Sequence, residues 1–169
     1  SIKKIDKSPI KNLGYFLIKG IFNKLGVKFH LDLLDKIENQ KISTHDYLLN
    51  MVSARIINPC SKIKTYEEVL PTLFEPYNIS KDQIYDKLDF IGDNYSRILE
   101  VFNEFYNEKF IRKTGNVYFD CTNYYFEIDT EDDFRRKGPS KENRKDPIIG
   151  MGLLLDEEQI PLTMKLYPG

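Results

Sequence analysis

The chain of 169 residues contains no tryptophan, two cysteines and two histidines. Cys60 and Cys121 lie far apart and outside any Cys-x-x-Cys or Cys/His spacing, so the pattern supports neither a zinc site nor a disulfide framework. His30 and His45 have no helical or turn spacing that would pair them as metal ligands. No apolar run approaches the ~20 residues that span a bilayer, and the start shows no signal-peptide pattern. Neither sign of charge dominates: 25 Lys and Arg stand against 26 Asp and Glu, a formal net charge of −1. That balance excludes a globally basic nucleic-acid binder and leaves only local patches to consider. Reduced, mostly buried thiols in a cytoplasmic protein are the expectation.

What is present is a globular composition, 41% hydrophobic and 30% charged, with aromatics supplied by Tyr and Phe. The length fits one compact domain or two small ones with a real core. The start at Ser1 and the finish at Tyr167-Pro168-Gly169 both read as cut ends.

Residues from about 13 to 112 carry helical signals. Leu13 to Leu25 is strongly apolar and stops at Gly26, a residue suited to the left-handed position after a helix. Leu31, Leu34 and Ile37 mark a short amphipathic segment. Ser43 is a candidate N-cap for a helix that places Leu48, Met51, Val52 and Ile56 on one face and ends at Asn58-Pro59. Thr65-x-x-Glu68 and Ser80-x-x-Gln83 both match the capping box. Ile84, Leu88 and Ile91 form one stripe. Ile98, Leu99, Phe102, Phe105, Tyr106 and Phe110 form another on a last helix, about 94 to 113. These stripes predict core.

The pattern changes at Thr114-Gly115. Residues 116–126 read as a strand, 127–147 as a polar loop, 148–156 as a strand, 157–159 as a turn and 160–167 as a strand. The run from Ile148 to Leu155 is nearly all apolar, as in a sheet covered on both faces. The short acidic connection predicts an antiparallel hairpin, with Asp156 solvated in its turn. The expected class is α+β: a helical region at 1–113, then strands at 114–169. Such a short sheet is expected to leave apolar surface uncovered.

Asp120 is the residue that singles itself out. Val, Tyr, Phe, Cys and Thr surround it, the composition of a buried strand, where an unpaired carboxylate costs several kcal/mol or takes up a proton. A divalent metal facing the carboxylate would favour the ionised form. Capping the strand or pairing with an Arg are the alternatives.

The loop that follows switches sign. Glu127, Asp129, Glu131, Asp132 and Asp133 precede Arg135, Arg136, Lys137, Lys141, Arg144 and Lys145. Its two halves either neutralise each other in solvent or present a basic segment to phosphates.

Taken together, Tyr118-Phe119-Asp120-Cys121-Thr122-Asn123-Tyr124-Tyr125-Phe126, the basic loop Ser140 to Asp146, Gly150-Met151-Gly152-Leu153-Leu154-Leu155-Asp156, Ile160-Pro161-Leu162 and Tyr167-Pro168-Gly169 resemble bacterial DDE transposases of the insertion-sequence-four type. Arg55-Ile56-Ile57-Asn58-Pro59-Cys60-Ser61-Lys62 is similar to the linker that precedes the catalytic core in that family. The resemblance implies a helical DNA-binding or dimerisation region at 1–113, followed by the first three antiparallel strands of an RNase H-like core, incomplete. It places Asp120 as the first catalytic aspartate and a metal ligand, with Thr122 supporting it. It makes Arg135, Arg136, Lys141, Arg144 and Lys145 candidates for DNA contact. It also implies Mg²⁺ or Mn²⁺ as cofactor, transposon terminal inverted repeats and target DNA as partners, a possible homodimer, and a nucleoid-associated place in the bacterial cytoplasm.

In such relatives two divalent ions serve cleavage of the transposon ends and transfer of the 3′-hydroxyl to target DNA. The family's second Asp and its Glu fall after the point where this chain stops, so the chain alone is expected to be inactive. None of Glu127, Asp129, Asp133 or Asp156 occupies a position that replaces them. Two further readings stay open: another RNase H-like nuclease, and a non-enzymatic helical module that binds DNA or a partner.

Overall fold

A computed structural model describes residues 10–75, 77–139 and 146–169. The chain divides into two compact units, Ser1–Lys109 and Phe110–Gly169. The first is helical and the second is a three-stranded antiparallel sheet with its loops, giving an α+β protein. No helix among the described residues is long and apolar enough to cross a membrane.

The helical unit begins with α1 (Tyr15–Leu25), which ends because Gly26 adopts φ 77° and turns its N–H back to the Phe22 carbonyl. Next come α2 (Lys28–Ile37) and α3 (Thr44–Ile57), the latter capped by Ser43, whose hydroxyl accepts from the Asp46 N–H. A helical passage then runs through α4 (Lys62–Lys64), a π-helical stretch Thr65–Val69 and a 3₁₀ turn Leu70–Thr72. Pro71 has no N–H to continue an α-helix there. The unit closes with α5 (Lys81–Asp93) and α6 (Tyr95–Lys109).

The Ser80/Gln83 capping box forms as the sequence predicts, with both reciprocal bonds in place. The Thr65/Glu68 box does not form. Ser61 caps this passage instead, four residues earlier, by accepting from the Lys64 N–H. Thr65 is buried inside the passage, with its hydroxyl 3.4 Å from Cys60 Sγ.

One apolar core holds the unit together. Tyr15, Ile18 and Phe22 of α1, Leu31 and Leu34 of α2, Tyr47, Leu49 and Ala54 of α3, Ile84 of α5 and Ile98 of α6 meet in it. Phe102 and Phe105 of α6 pack against its side.

The expected inner face of α3 is corrected in part: Leu48 and Met51 pack against the core as expected. Val52 and Ile56 are exposed, whereas Thr44, His45, Asn50 and Ser53 are buried. Thr44 finds its partner on α2, whereas His45 and Asn50 bond to Asp46 within their own helix. Asp35 accepts from the Thr44 N–H at 2.6 Å and from its hydroxyl, and receives Lys87 Nζ at 2.8 Å. Lys87 also reaches Gln40 Oε1 at 3.3 Å and lies 4.1 Å from the Phe90 ring centre. Burial pushes its ammonium below the usual lysine range, and the bond to Asp35 opposes that shift.

In the second unit β1 (Tyr118–Tyr125), β2 (Ile148–Leu155) and β3 (Pro161–Pro168) lie in the order β1-β2-β3. Asp120 pairs with Leu153 and Leu153 with Met164, and an irregularity at Leu154/Leu155 precedes the β2–β3 turn. The central strand is less covered than its apolar run predicts, because only Ile148 and Gly152 of its eight residues are buried. Gly152 is required at its place. A Cβ there would sit 2.9 Å from the Phe119 ring and 3.2 Å from that of Tyr167, two side chains that close over the glycine.

Asp156 overturns the solvated-turn expectation. It is 1% exposed, and its Oδ1 accepts the N–H groups of Glu158 at 2.9 Å and Ile160 at 2.8 Å. Its Oδ2 lies 3.3 Å from the Arg112 guanidinium, which also donates to the Pro161 carbonyl at 3.1 Å. The carboxylate is buried because the turn's own amides and Arg112 replace its water.

Candidate nucleic-acid and metal site

Asp120 stands on β1, an outer strand bonded to β2 on one edge only. Strand alternation places it on one face of the sheet with Tyr118, Thr122 and Tyr124, opposite Leu155, Leu153, Met151 and Ile149. The Tyr124 hydroxyl 3.4 Å from Met151 Sδ marks that face.

The sequence places Asp120 in a buried strand, and this is corrected. Asp120 is exposed, as are Tyr118 at 50% and Phe119 at 65%. Val, Tyr, Phe and Thr encode a strand; they do not by themselves encode its cover. The exposed setting removes the desolvation penalty, so a metal is no longer needed to rationalise a carboxylate here. It also leaves the oxygens accessible. No side-chain hydrogen bond or ion pair engages the Asp120 carboxylate among the described residues.

Thr122 is half-buried on the same face, opposite Met151. Cys121 points the other way and is exposed, and Cys60 is partly buried. Neither forms a disulfide, and the expectation of mostly buried thiols fails for Cys121.

The basic loop is described only in part. Lys141, Arg144 and Lys145 lie outside the described residues. Arg135 closes a local turn with Asp132: its Nε donates to Asp132 Oδ2 at 2.6 Å, and its guanidinium carbon lies 5.6 Å from the Phe126 ring centre. Asp132 also accepts the N–H groups of Phe134, at 2.9 Å, and Arg135. The Arg135 backbone and side-chain bonds, followed by that of Phe134, hold the Asp132 carboxyl down to about 2. Arg136 reaches Asp133 at 3.9 Å, while its backbone exchanges two hydrogen bonds with Ile148 and extends the pairing of β2. The acidic half of the loop therefore partners both described arginines. Each remains substantially exposed, at 41% and 55% of its side chain, and such surface pairs contribute little to stability.

Asp120 supplies a hard oxygen ligand of the kind Mg²⁺ or Mn²⁺ accepts. Among the described residues no group of three His, Cys, Asp or Glu side chains is placed to hold a metal ion.

Sequence reasoning missed the buried pairs Asp35–Lys87 and Arg112–Asp156. It also missed a polar cavity in the helical unit lined by Asn50, Glu75 and Tyr77. The partners in each pair lie 52 and 44 residues apart, a separation no local pattern exposes.

Comparison with protein-family models, with curated proteins and with solved structures finds no match for this chain.

Proposed function

We propose that the chain is part of a DDE-type transposase of the insertion-sequence-four type, carrying the first three strands of an RNase H-like core. One observation carries the reading. An Asp-x-Thr sequence, Asp120 and Thr122, lies on the outer strand of a three-stranded antiparallel sheet in consecutive order, with the carboxylate exposed and unengaged among the described residues.

In this reading Asp120 offers an oxygen ligand at the sheet edge and Thr122 supports it from the same face. When bound, paired divalent ions would activate an attacking oxygen and stabilise the leaving one at a phosphodiester. Arg135 and Arg136, with Lys141, Arg144 and Lys145, would contact DNA phosphates independently of sequence. The described residues offer one such carboxylate ligand, so no catalytic step is assigned to them alone. The partners are the terminal inverted repeats and target DNA, engaged by a homodimer.

The test uses the protein of the complete reading frame and DNA carrying the ends of the element that encodes it. Asp120→Ala should abolish metal-dependent end cleavage and leave end binding intact. Cleavage at the wild-type rate by that variant contradicts the reading.

A second reading, a helical module that binds DNA or a partner, is favoured by the self-contained core of Ser1–Lys109. It expects salt-sensitive DNA binding by this chain that survives both Asp120→Ala and charge reversal of Arg135 and Arg136. Loss of binding on charge reversal excludes it.

A further inference from the structure

Helix α1 is apolar on both sides. Tyr15, Ile18 and Phe22 face the core, while Phe16, Leu17 and Ile21 on the opposite side are 44%, 77% and 59% exposed. Leu13, in the turn that leads into the helix, is 66% exposed and stands four residues before Leu17, on the same side. Phe74 extends the patch: it is 43% exposed and its ring centre lies 4.5 Å from that of Phe16. A surface helix turns a polar face to water, and one that is apolar all round is covered all round. At roughly 200 Å² for a large apolar residue, these five leave about 600 Å² open, the upper end for an apolar patch on a monomer and near the ~800 Å² per partner of a standard interface.

Two features of the patch say what covers it. Gly20 shares the outer face with Leu17 and Ile21, is exposed, and has nothing within 4 Å of the place a Cβ would take. Glycine is the poorest helix former after proline, and no contact among the described residues accounts for it there. A second helix laid across Gly20 does, because the missing Cβ lets two backbones approach closely. The other feature is charge. Helix α1 has no acidic residue, Lys19 is turned to Glu75, and the outer face carries only Lys24, in the last turn. Such a face has little to repel its own image. Two copies crossing antiparallel near Leu17 and Gly20 set apolar residues against their like and place the two Lys24 ammonium groups at opposite ends.

We propose that this face of α1 is a two-fold interface between two copies of the chain, with the helices crossing at Leu17 and Gly20. The homodimer in the functional reading above thereby acquires a surface. The association requires neither DNA nor metal, so its failure is distinguishable from failure of the role given to Asp120.

The test is sedimentation velocity on the full chain, without DNA, from micromolar to millimolar concentration. A reversible dimer is expected, with a dissociation constant in the micromolar range. Leu17→Asp should weaken it by about thirtyfold or more, as for a residue at the centre of an interface. Its circular dichroism should match the parent's, because Leu17 lies outside the core. Gly20→Gln should act in two directions. It should weaken the dimer by about tenfold or more by holding the backbones apart, and raise the melting temperature of dilute, monomeric protein because glutamine is the better helix former. In a chain also carrying Cys121→Ser, Leu17→Cys should give a disulfide-linked dimer on mild oxidation, whereas Phe29→Cys, at a similarly exposed place on α2, should not. A chain that stays monomeric at every concentration overturns the proposal. So does a dimer unaffected by Leu17→Asp or by Gly20→Gln, or cross-linking as strong from Phe29→Cys as from Leu17→Cys.

Discussion

The Asp156 carboxylate and the Arg112 guanidinium form an ion pair 3.3 Å apart in which both side chains are buried, 1% and 8% exposed. The pair joins the start of the sheet unit to the turn between β2 and β3, and Asp156 also caps that turn with two accepted N–H bonds.

Asp156→Ala leaves Arg112 and two turn amides without that acceptor, and removing one partner of a buried pair costs about 3–5 kcal/mol. Asp156→Asn keeps an acceptor for the turn and should cost less. The expected result is faster amide exchange across the β2–β3 hairpin, larger in the Ala variant, with exchange in the helical unit unchanged. Equal protection in both variants and the parent would show that the pair does not hold the hairpin.

Lys87 is the corresponding residue in the helical unit. Lys87→Met strands Asp35, though the hydroxyl and N–H of Thr44 still serve it, so a loss near about 3 kcal/mol is expected. The pH dependence has a definite sign. The folded-state ammonium is lowered from 10.5 by burial, so between the lowered value and 10.5 the unfolded chain binds more protons. Stability from this group rises with pH across that window and is lost as pH falls through the folded value. Urea unfolding against pH should show that rising component in the parent and not in Lys87→Met.

Tyr47 acts in the opposite sense. It is buried, donates to the Ile84 carbonyl at 2.9 Å, and burial pushes its phenol from 10.0 up to about 12. Above pH 10 the unfolded chain loses a proton that the folded chain keeps, so stability falls as pH rises through about 12. Tyr47→Phe should cost about 1 kcal/mol at neutral pH for the lost hydrogen bond. It should also flatten the alkaline fall, as followed by circular dichroism with pH.

The contrast between these residues shows what the sequence makes legible. Gly26, Ser43, the Ser80/Gln83 box and the hairpin order were readable because caps and turns depend on residues a few positions apart. The buried polar positions of α3 were not, Thr44 among them, because its partner lies elsewhere in the chain. For Thr44 that partner is Asp35 on another helix, and counting apolar side chains favoured Val52 and Ile56. Asp156 looked like a solvated turn residue because its cation lies 44 residues upstream. Asp120 could be identified as a strand carboxylate, but its exposure depends on what covers that face of the sheet, which the residues of the strand do not encode.

Gly152→Ala tests the packing of that sheet. The added methyl would sit 2.9 Å from the Phe119 ring, so overpacking should cost about 1–3 kcal/mol. Adding Phe119→Leu should recover part of the loss by making room. If Gly152→Ala alone is neutral in urea unfolding, the two rings do not close over this glycine.

The assignment of the chain to a transposase is tested most directly by the nucleotide sequence that follows the codon for Gly169. The account predicts an open frame that continues into a further strand bearing a second Asp and, after an insertion, a helix bearing a Glu, all within DNA flanked by inverted repeats. A frame that continues with neither carboxylate would contradict it.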